Sequence, residues 1–344
     1  MNKITDVAVA VFIRPDGSFL LSSRPEGKPY AGYWEFPGGK IEPAETVRAA
    51  LTRELIEELN VVIDEATPWF TFMMLYEHAT VRLHTWRVTR WHDVNAAVAE
   101  ARGTHGMHGM HGMEGQEFAW QRLDALTVGP TLPGCVPIFR ALSLPTTYVV
   151  TNAFEVGVET YLQQLRAFWG KNAAKRPPGN GFGSAALAVP TLIQLREKDM
   201  HPAVRRAFAG EIVALARENG ALVLLNADIE LATAVGADGV HLTSAQLAAM
   251  ATRPAFSWVG ASVHSRAELE LAATLKCDFA VLGSVQATPS HPNQTPLGWD
   301  NFARIVRDSP IPVFAIGGVS RADAEIAFQH GAHGVAMQRQ AFAE

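Results

Sequence analysis

Short apolar runs separated by turn residues alternate through the first part of the chain. Runs at 7–13, 17–25 and 80–91 have the length of β-strands, and the last alternates apolar with polar side chains at period two. Between them, apolar side chains recur at helical spacing and predict a helix from about Pro43 to Leu59. A second, shorter helix is predicted at 135–142. The pattern therefore predicts an α/β domain at residues 1–143.

After a linker-like stretch, SLPTT, the pattern changes to short and almost continuous apolar runs separated by helical stretches. Eight such runs occur: TYVVT, VPTLIQLRE, ALVLLNA, GVHLT, FSWVGASV, FAVLGSV, IPVFAIGG and HGVAM. Runs of this kind are typical of parallel strands that are covered on both faces. Eight βα units of this size predict a compact (β/α)8 TIM barrel at residues 146–344.

Composition and charge exclude several classes of protein. The chain has 344 residues, of which 48% are hydrophobic, and this content argues against global disorder. Its net charge of −5, without a long block of one sign, gives no electrostatic reason to bind a nucleic-acid polymer or an acidic membrane. Cys135 and Cys277 lie far apart and form no CxxC pair, and no apolar run reaches membrane-spanning length. We therefore expect a soluble cytoplasmic protein.

Three carboxylates share one face of the first predicted helix. Glu54, Glu57 and Glu58 stand at positions i, i+3 and i+4, where like charges repel unless a cation neutralises them. Carboxylate oxygens select Mg²⁺ or Mn²⁺, and the tight turn Pro37–Gly39 could bring a backbone carbonyl to the same ion. The glutamates alone would equally fit a solvated acidic helix face.

The spacing around these glutamates resembles the Nudix box, G-x5-E-x7-R-E-U-x-E-E-x-G-U, where U is apolar. The positions in register are Gly39, Glu45, Arg53, Glu54, Leu55, Glu57, Glu58 and Val61. Asn60 replaces the last glycine of the motif, but asparagine also tolerates a left-handed helix end. The resemblance implies an α/β/α sandwich with a mixed sheet, which hydrolyses a nucleoside diphosphate linked to another group.

The same resemblance implies a ligand set and a mechanism. Glu54, Glu57, Glu58 and the Gly38 carbonyl would bind the metal, which stabilises developing negative charge on phosphate and helps to activate water. Either Glu57 or Glu58 would touch that water, and the sequence leaves open which one.

The flanking segment SSRPEGKPYAGYWEFPGGKIEPAET is similar to the MutT-type 8-oxo-dGTP diphosphatases. Arg24, Glu35 and Lys40 match this group by position as substrate-binding residues, with Arg24 and Lys40 as phosphate contacts; ordinary surface charge is the alternative. The EGQ segment resembles the group as well, and Glu114 would be a further metal ligand or base. One position departs: Cys135 stands in LPGCVP where the MutT pattern, L-P-A-N-x-P, has its purine-reading asparagine, and cysteine cannot make paired amide contacts.

A tandem tripeptide, His-Gly-Met, repeats three times just before Glu114. Soft-metal binding is one interpretation of its histidines and methionines, but no cysteine or carboxylate cage accompanies them. We favour an expanded loop beside Glu114, and deletion of two of the three repeats should leave activity largely intact.

The segments TLIQLREKD, NADIELATAVGADGVHLT, GASVHSRAELE, LGSVQATPSHP and FAIGGVSRADAEIAFQHGAHGVAM together resemble thiamine-phosphate synthase and the related thiazole tautomerase. Four residues match the pyrimidine pyrophosphate site of the synthase: Gln194, Arg196, Lys198 and Asn226. Four others match thiazole-phosphate contacts: Thr288, Ser290, Gly317 and Gly318.

Two departures argue against thiamine-phosphate synthesis, because Ala227 and Gln246 stand where the synthase has metal-binding aspartates. His264 aligns with the proton-shuttling histidine of the tautomerase, and Arg339 replaces a small residue near the phosphate. The main expectation is a Mg²⁺-dependent hydrolase of damaged deoxynucleoside triphosphates that cleanses the nucleotide pool and thereby serves DNA repair. Two alternatives stay open: a bifunctional thiamine-salvage protein, or a second domain that only senses a phosphorylated metabolite. The sequence indicates no oligomeric state.

Overall fold

The computed structural model describes residues 3–94, 115–173, 191–288 and 295–342, without side chains at 171–173. The chain divides into two compact units, Met1–Leu142 and Ser143–Glu344. In the described part of the chain, no helix is long and apolar enough to cross a membrane.

The first unit contains a mixed four-stranded sheet and a smaller antiparallel sheet. Its strands are β1 (Ile4–Phe12), β2 (Phe19–Ser23), β3 (Trp34–Glu35), β4 (Gly38–Lys40), β5 (Val61–Leu75), β6 (Thr80–Asp93) and β7 (Phe118–Gln121), and its helices are α1 (Val47–Leu59) and α2 (Cys135–Leu142). The larger sheet has the order β4-β1-β6-β5, and the smaller one has the order β3-β2-β7. Strand β1 runs parallel to β6 and antiparallel to β4.

Strand β1 alternates its side chains between two hydrophobic cores. Ala8, Ala10 and Phe12 pack with the buried side chains of α1, whereas Val9 and Val11 pack with those of α2. Because successive side chains of a strand point to opposite faces, α1 covers one face of the sheet and α2 covers the other. This arrangement confirms the expected sandwich with a mixed sheet.

Helix α1 begins later than predicted. It starts at Val47, because Ala44 has a left-handed φ of 67° and the side chain of Thr46 caps the helix by accepting a hydrogen bond from the Ala49 N–H at 3.2 Å. The predicted start at Pro43 was therefore wrong by one turn. The helix ends at Leu59, as predicted.

The second unit is a closed barrel of eight parallel strands, in the order β10-β11-β12-β13-β14-β15-β8-β9. The strands are β8 (Thr147–Val150), β9 (Thr191–Leu195), β10 (Leu222–Asn226), β11 (Gly239–Leu242), β12 (Trp258–Val263), β13 (Phe279–Gly283), β14 (Val313–Ile316) and β15 (Gly334–Met337). The α-helices are α3 (Ala153–Val156), α4 (Val158–Ala173), α5 (Pro202–Glu218), α6 (Ile229–Val235), α7 (Ser244–Ala249), α8 (Arg266–Thr274), α9 (Trp299–Val306) and α10 (Ala324–Gln329). Each of the eight predicted apolar runs contains one barrel strand, so the (β/α)8 prediction is confirmed.

The barrel has an inner and an outer core. Large buried side chains fill its interior, among them Tyr148, Phe279 and Phe314, whose rings contact one another. A second cluster joins the outer faces of the strands to the surrounding helices. Because all strands run parallel, their carboxyl ends gather at one face, where barrels of this class carry their sites.

Candidate functional site

Gly38 and Gly39, which were predicted to lie in a tight turn, belong to strand β4, and this strand lies directly against helix α1. Gly38 has a φ of 140°, and a Cβ there would lie 2.1 Å from the Ala8 carbonyl oxygen. A Cβ at Gly39 would lie 2.0 Å from Cδ of Glu54. Only glycine lets the backbone approach this carboxylate so closely. The start of strand β4 and the acidic face of the helix therefore form one surface.

Arg53 ties this surface to the loop before the helix. Its Nε and Nη2 donate hydrogen bonds to the two carboxylate oxygens of Glu45, at 3.1 and 2.9 Å. Nη2 also donates to the Lys40 carbonyl at 3.0 Å, and Nη1 donates to Glu54 at 2.8 Å. Nη1 lies 3.5 Å from Glu57 as well. Arg53 therefore links the loop residue Glu45 to the helix.

Glu58 is partly buried on this face of the helix. It accepts a hydrogen bond from the Gly38 N–H at 3.3 Å and another from Nε2 of Gln116 at 3.4 Å. Burial, together with the carboxylates of Glu54 and Glu35, raises the pKa of Glu58 to about 7. A nearby cation would remove this cost of ionisation.

The predicted metal ligands differ in exposure. The side chain of Glu54 is 17% exposed and that of Glu57 is 60% exposed. Among the residues that the structure describes, no three His, Cys, Asp or Glu side chains form a preassembled metal-binding cluster. The remaining predicted ligand, Glu114, lies outside the described residues, as does the His-Gly-Met repeat. The ligand set stays a prediction.

Two of the predicted substrate-binding residues, Arg24 and Glu35, bind each other. Nη1 of Arg24 donates to Glu35 at 2.5 Å, and its Nε donates to the Pro29 carbonyl at 2.8 Å. Burial raises the pKa of Glu35, and Arg24 opposes that rise. Lys40 is exposed. Phosphate contact by Arg24 stays a prediction, and it would require the guanidinium to be shared with Glu35.

Cys135, which replaces the purine-reading asparagine of the MutT pattern, is not available at the surface. The residue is 2% exposed, and its thiol lies 3.7 Å from the Trp34 carbonyl oxygen. Burial raises the pKa of this thiol to about 12. Cys135 is therefore a neutral core residue.

In the second unit, a cavity of about 580 Å³ opens at the carboxyl ends of the barrel strands. It collects most of the residues predicted there: Gln194, Arg196, Lys198, Asn226, His264, Thr288, Gly317 and Gly318. Ser290 lies outside the described residues. The cavity lining that the structure describes contains arginine, lysine and neutral polar side chains but no carboxylate.

A polar chain that the sequence analysis missed lies in the wall of this cavity. The hydroxyl of Tyr148 lies 3.1 Å from Nδ1 of His241, and Nε2 of His241 lies 2.9 Å from the hydroxyl of Ser262. All three residues line the cavity. The available signal was His241 itself, a polar residue within the apolar run GVHLT, since buried polar groups need partners.

The two positions that lack the aspartates of the synthase are joined by a hydrogen bond. Nε2 of Gln246 donates to the Ala227 carbonyl at 2.8 Å, and Oε1 of Gln246 accepts from the Thr243 N–H at 3.1 Å. Gln246 therefore forms the capping box at the start of α7. Ala227 keeps a left-handed φ of 64°, which is unfavourable for alanine.

His264 and Arg339 both lie at the mouth of the cavity. Nδ1 of His264 lies 3.3 Å from the Gly283 carbonyl oxygen. Since a carbonyl can only accept, this contact favours a proton on Nδ1 and leaves Nε2 as the basic nitrogen. Arg339 binds Glu155 through two hydrogen bonds, of which the Nε bond is 3.0 Å long, and this contact lowers the pKa of Glu155.

Comparison with known proteins relates each unit to a family. The NUDIX domain model matches residues 4–134, and the thiamine monophosphate synthase model matches residues 181–341. A thiamine-phosphate synthase of Lysinibacillus sphaericus is 35% identical over 173 residues, which cover 48% of this chain and 81% of that protein.

Solved structures similar to each unit are also known. The thiamine phosphate pyrophosphorylase of Pyrococcus furiosus is 24% identical, with a TM-score of 0.43, and the match covers 57% of this chain and 90% of that one. The MutT NUDIX hydrolase of Burkholderia pseudomallei is 23% identical, with a TM-score of 0.32, and the match covers 38% of this chain and 92% of that one.

Proposed function

The chain belongs to the thiamine-phosphate synthase family through its second unit, and from the Nudix domain at residues 4–134 we propose that its first unit hydrolyses nucleoside triphosphates to a monophosphate and pyrophosphate. The observation that carries the proposal is the contact of Gly38 and Gly39 with the glutamates of α1. The MutT-like segment that flanks the Nudix box supports a role in cleansing the nucleotide pool and thereby serving DNA repair. The two unpaired cysteines support a cytoplasmic location.

The residues present fit Mg²⁺ or Mn²⁺. A backbone without Cβ at Gly39 lies against the Glu54 carboxylate, and Glu58 is held in a buried, carboxylate-rich position that disfavours its own charge. Oε1 of Gln116 is buried and has no hydrogen-bond partner among the described residues, although its Nε2 contacts Glu58. This is an all-oxygen donor set of the kind that hard divalent cations prefer.

Glu54, Glu57, Glu58 and the Gly38 carbonyl would hold the ion, and Glu114 is the further candidate. When bound, the ion supplies charge neutralisation on phosphate and acidifies water. Arg53 fixes the rotamer of Glu54 and positions the helix against the loop that carries Glu45. Glu58 would be ionised beside the bound ion, and its carboxylate could then accept a proton from water.

The test is pyrophosphate release from dGTP and 8-oxo-dGTP by the purified full chain with Mg²⁺. We expect Glu58→Gln to lower kcat by about 100-fold or more and to reduce the Mg²⁺-dependent rise in Tm. Glu65→Gln is the matched control, because Glu65 is an exposed glutamate of the same unit that pairs with Arg90 at 2.9 Å. Hydrolysis at the parent rate by Glu58→Gln would refute the proposed site. Hydrolysis of thiamine diphosphate in preference to both nucleotides would favour thiamine salvage instead.

For the second unit, we propose a binding site for a phosphorylated thiazole or pyrimidine that does not require a metal. Arg196 and Lys198 place positive charge at the strand ends, and the cavity lining contains no carboxylate in its described part. Ala227 and Gln246 supply no metal-binding oxygen pair, since the Gln246 amide is engaged by Thr243 and Ala227. Thiamine-phosphate synthesis with Mg²⁺-pyrophosphate is therefore not proposed for this chain.

Titration of thiazole phosphate into the full chain, with and without EDTA, tests this proposal. We expect saturable binding that EDTA does not change and that Arg196→Ala weakens by about tenfold. Arg206→Ala is the control, because Arg206 is an exposed arginine of α5. Binding that EDTA abolishes would contradict the proposal. Loss of thiazole aromatisation in His264→Ala would extend it to a tautomerase, and unchanged binding without any turnover would identify a ligand sensor.

A further inference from the structure

Gln116 is a buried amide that contacts the acidic helix of the first unit. It stands two residues after Glu114, and the MutT resemblance gives a role to Glu114 only. Gln116 is 9% exposed, and its Nε2 lies 3.4 Å from Oε1 of Glu58. A hydrogen bond therefore joins this side chain to one of the glutamates that we propose to bind the cation.

The neighbouring backbone determines where this amide lies. Glu117 forms two hydrogen bonds with strand β2: its N–H donates to Oγ of Ser23 at 2.9 Å, and its carbonyl accepts from the Ser23 N–H at 2.8 Å. Gly115, on the other side of Gln116, has a φ of 81°, a conformation that favours glycine. Gln116 is therefore held in place directly before strand β7, which begins at Phe118.

The two oxygens of the Glu58 carboxylate are held by different parts of the first unit. Oε2 accepts a hydrogen bond from the Gly38 N–H at 3.3 Å, whereas Oε1 accepts from the amide of Gln116 at 3.4 Å. Since an ionised carboxylate can only accept, Nε2 of Gln116 is the atom that must face it. Two donors, one on β4 and one just before β7, thus determine the orientation of this carboxylate.

The other polar atom of Gln116 supports a ligand at this place. Its Oε1 is buried and has no hydrogen-bond partner in the described part of the chain. A buried amide oxygen costs free energy unless a donor or a cation reaches it. Because Oε1 and Nε2 belong to the same amide group, this oxygen lies beside the Glu58 carboxylate, where we propose that the ion and its water molecules bind.

We infer that Gln116 is a positioning residue of the proposed hydrolase site and orients the Glu58 carboxylate for the cation through its Nε2 donor. The inference rests on the proposed hydrolase function. A group that hydrogen-bonds to a metal ligand typically contributes about 10- to 100-fold to metal affinity or activity. A carboxylate that is already oriented loses less conformational freedom when the ion binds, so loss of the amide should weaken ion binding and slow turnover together.

The test measures the dissociation constant of Mn²⁺ by electron paramagnetic resonance, and kcat and KM for dGTP at saturating Mg²⁺, in the full chain. Gln116→Met keeps the length of the side chain but removes the amide. It should weaken Mn²⁺ binding by about tenfold and lower kcat by about tenfold, with KM within about twofold of the parent value. Gln116→Glu keeps an acceptor but loses the donor, so its kcat should fall by at least as much.

Gln121→Met is the matched control. Gln121 is a buried glutamine of β7 whose Nε2 donates to the Trp120 carbonyl and to Oγ1 of Thr127, both at 3.0 Å. Its loss should lower Tm, because a buried amide is removed from the same strand, but Mn²⁺ binding and kcat should stay within about twofold of the parent values. Equal weakening of Mn²⁺ binding by Gln121→Met and Gln116→Met would overturn the inference, because the effect would then be a general loss of structure.

A double variant tests whether Gln116 acts through Glu58. Glu58→Gln combined with Gln116→Met should bind Mn²⁺ within about threefold of Glu58→Gln alone, because the carboxylate that the amide orients is already absent. A further tenfold loss in the double variant, or parent-like Mn²⁺ binding and kcat in Gln116→Met, would refute the role of Gln116 and leave the proposed function standing. A parent protein that neither binds Mn²⁺ nor hydrolyses dGTP would refute the proposed function itself.

Discussion

The imidazole of His241 is held neutral inside the barrel. Its two nitrogens contact Tyr148 and Ser262, and burial, together with the charge of Arg196, lowers its pKa to about 3. A histidine with a normal pKa in the unfolded chain would be protonated there at a much higher pH. The folded state therefore binds this proton less readily than the unfolded state does.

This difference predicts a pH-dependent loss of stability. The contribution of His241 to the free energy of unfolding is fully present above about pH 6.5. It declines as the pH falls towards 3, because the unfolded state then binds a proton that the folded state does not bind. At pH 5 the decline amounts to about 2 kcal/mol. Urea unfolding of the parent and of His241→Gln between pH 8 and pH 5 measures it, and the variant should lose less stability over this range. Parallel pH profiles would show that His241 titrates normally in the fold.

The sequence predicts some residues of the sites and cannot predict others. The Nudix spacing identifies Glu54, Glu57 and Glu58 because a helix converts sequence spacing into a shared face. The contact between Tyr76 and Gly134 has no comparable sequence signal. It depends on the space that Gly134 leaves for the phenol, and a contact between residues 58 positions apart becomes visible only after folding.

At the scale of elements, the uniformly buried barrel strands were predicted, whereas an irregular edge strand of the first unit was missed. All eight barrel strands were predicted, because both of their faces are covered and their sequences are almost entirely apolar. Strand β5, Val61–Leu75, was missed. It is the edge strand of its sheet, contains Pro68, and pairs with β6 through several register shifts, one of them between Pro68 and Thr71. Such irregularities disrupt the alternation on which the prediction depends.

The end of helix α1 provides a test of element stability. Asn60 has φ 57° and ψ 36°, and its side chain donates to Asp93 at 2.8 Å. Asn60→Ala should destabilise the first unit by about 1–2 kcal/mol, because alanine resists the left-handed conformation and makes no such bond. Asn60→Gly should cost less than about 0.5 kcal/mol, since relief of backbone strain offsets the lost bond. Urea unfolding of the two variants measures both effects. Equal losses would mean that the bond to Asp93, and not the backbone conformation, determines stability at this helix end.

At the scale of the whole molecule, the chain builds two sets of hydrophobic cores with no shared members. The sandwich cores draw on residues up to Leu142, whereas the barrel cores draw on residues from Leu144 onwards. Each proposed site is likewise assembled from one unit alone: the glutamates of α1 in the first, and the strand ends of the barrel in the second. Substitutions that share no partners usually have additive effects.

The two proposed activities should therefore be separable in the intact protein. Glu58→Gln should abolish most nucleotide hydrolysis and leave the affinity for thiazole phosphate within about twofold of the parent value. Arg196→Ala should weaken thiazole phosphate binding and leave the kcat and KM of hydrolysis within the same limit. Both measurements are made on each full-length variant, and the double variant should show the two losses together without further change. If thiazole phosphate alters the hydrolysis rate of the parent protein, or if Arg196→Ala slows hydrolysis, the sites are energetically coupled, and the fusion of the two units has a regulatory purpose.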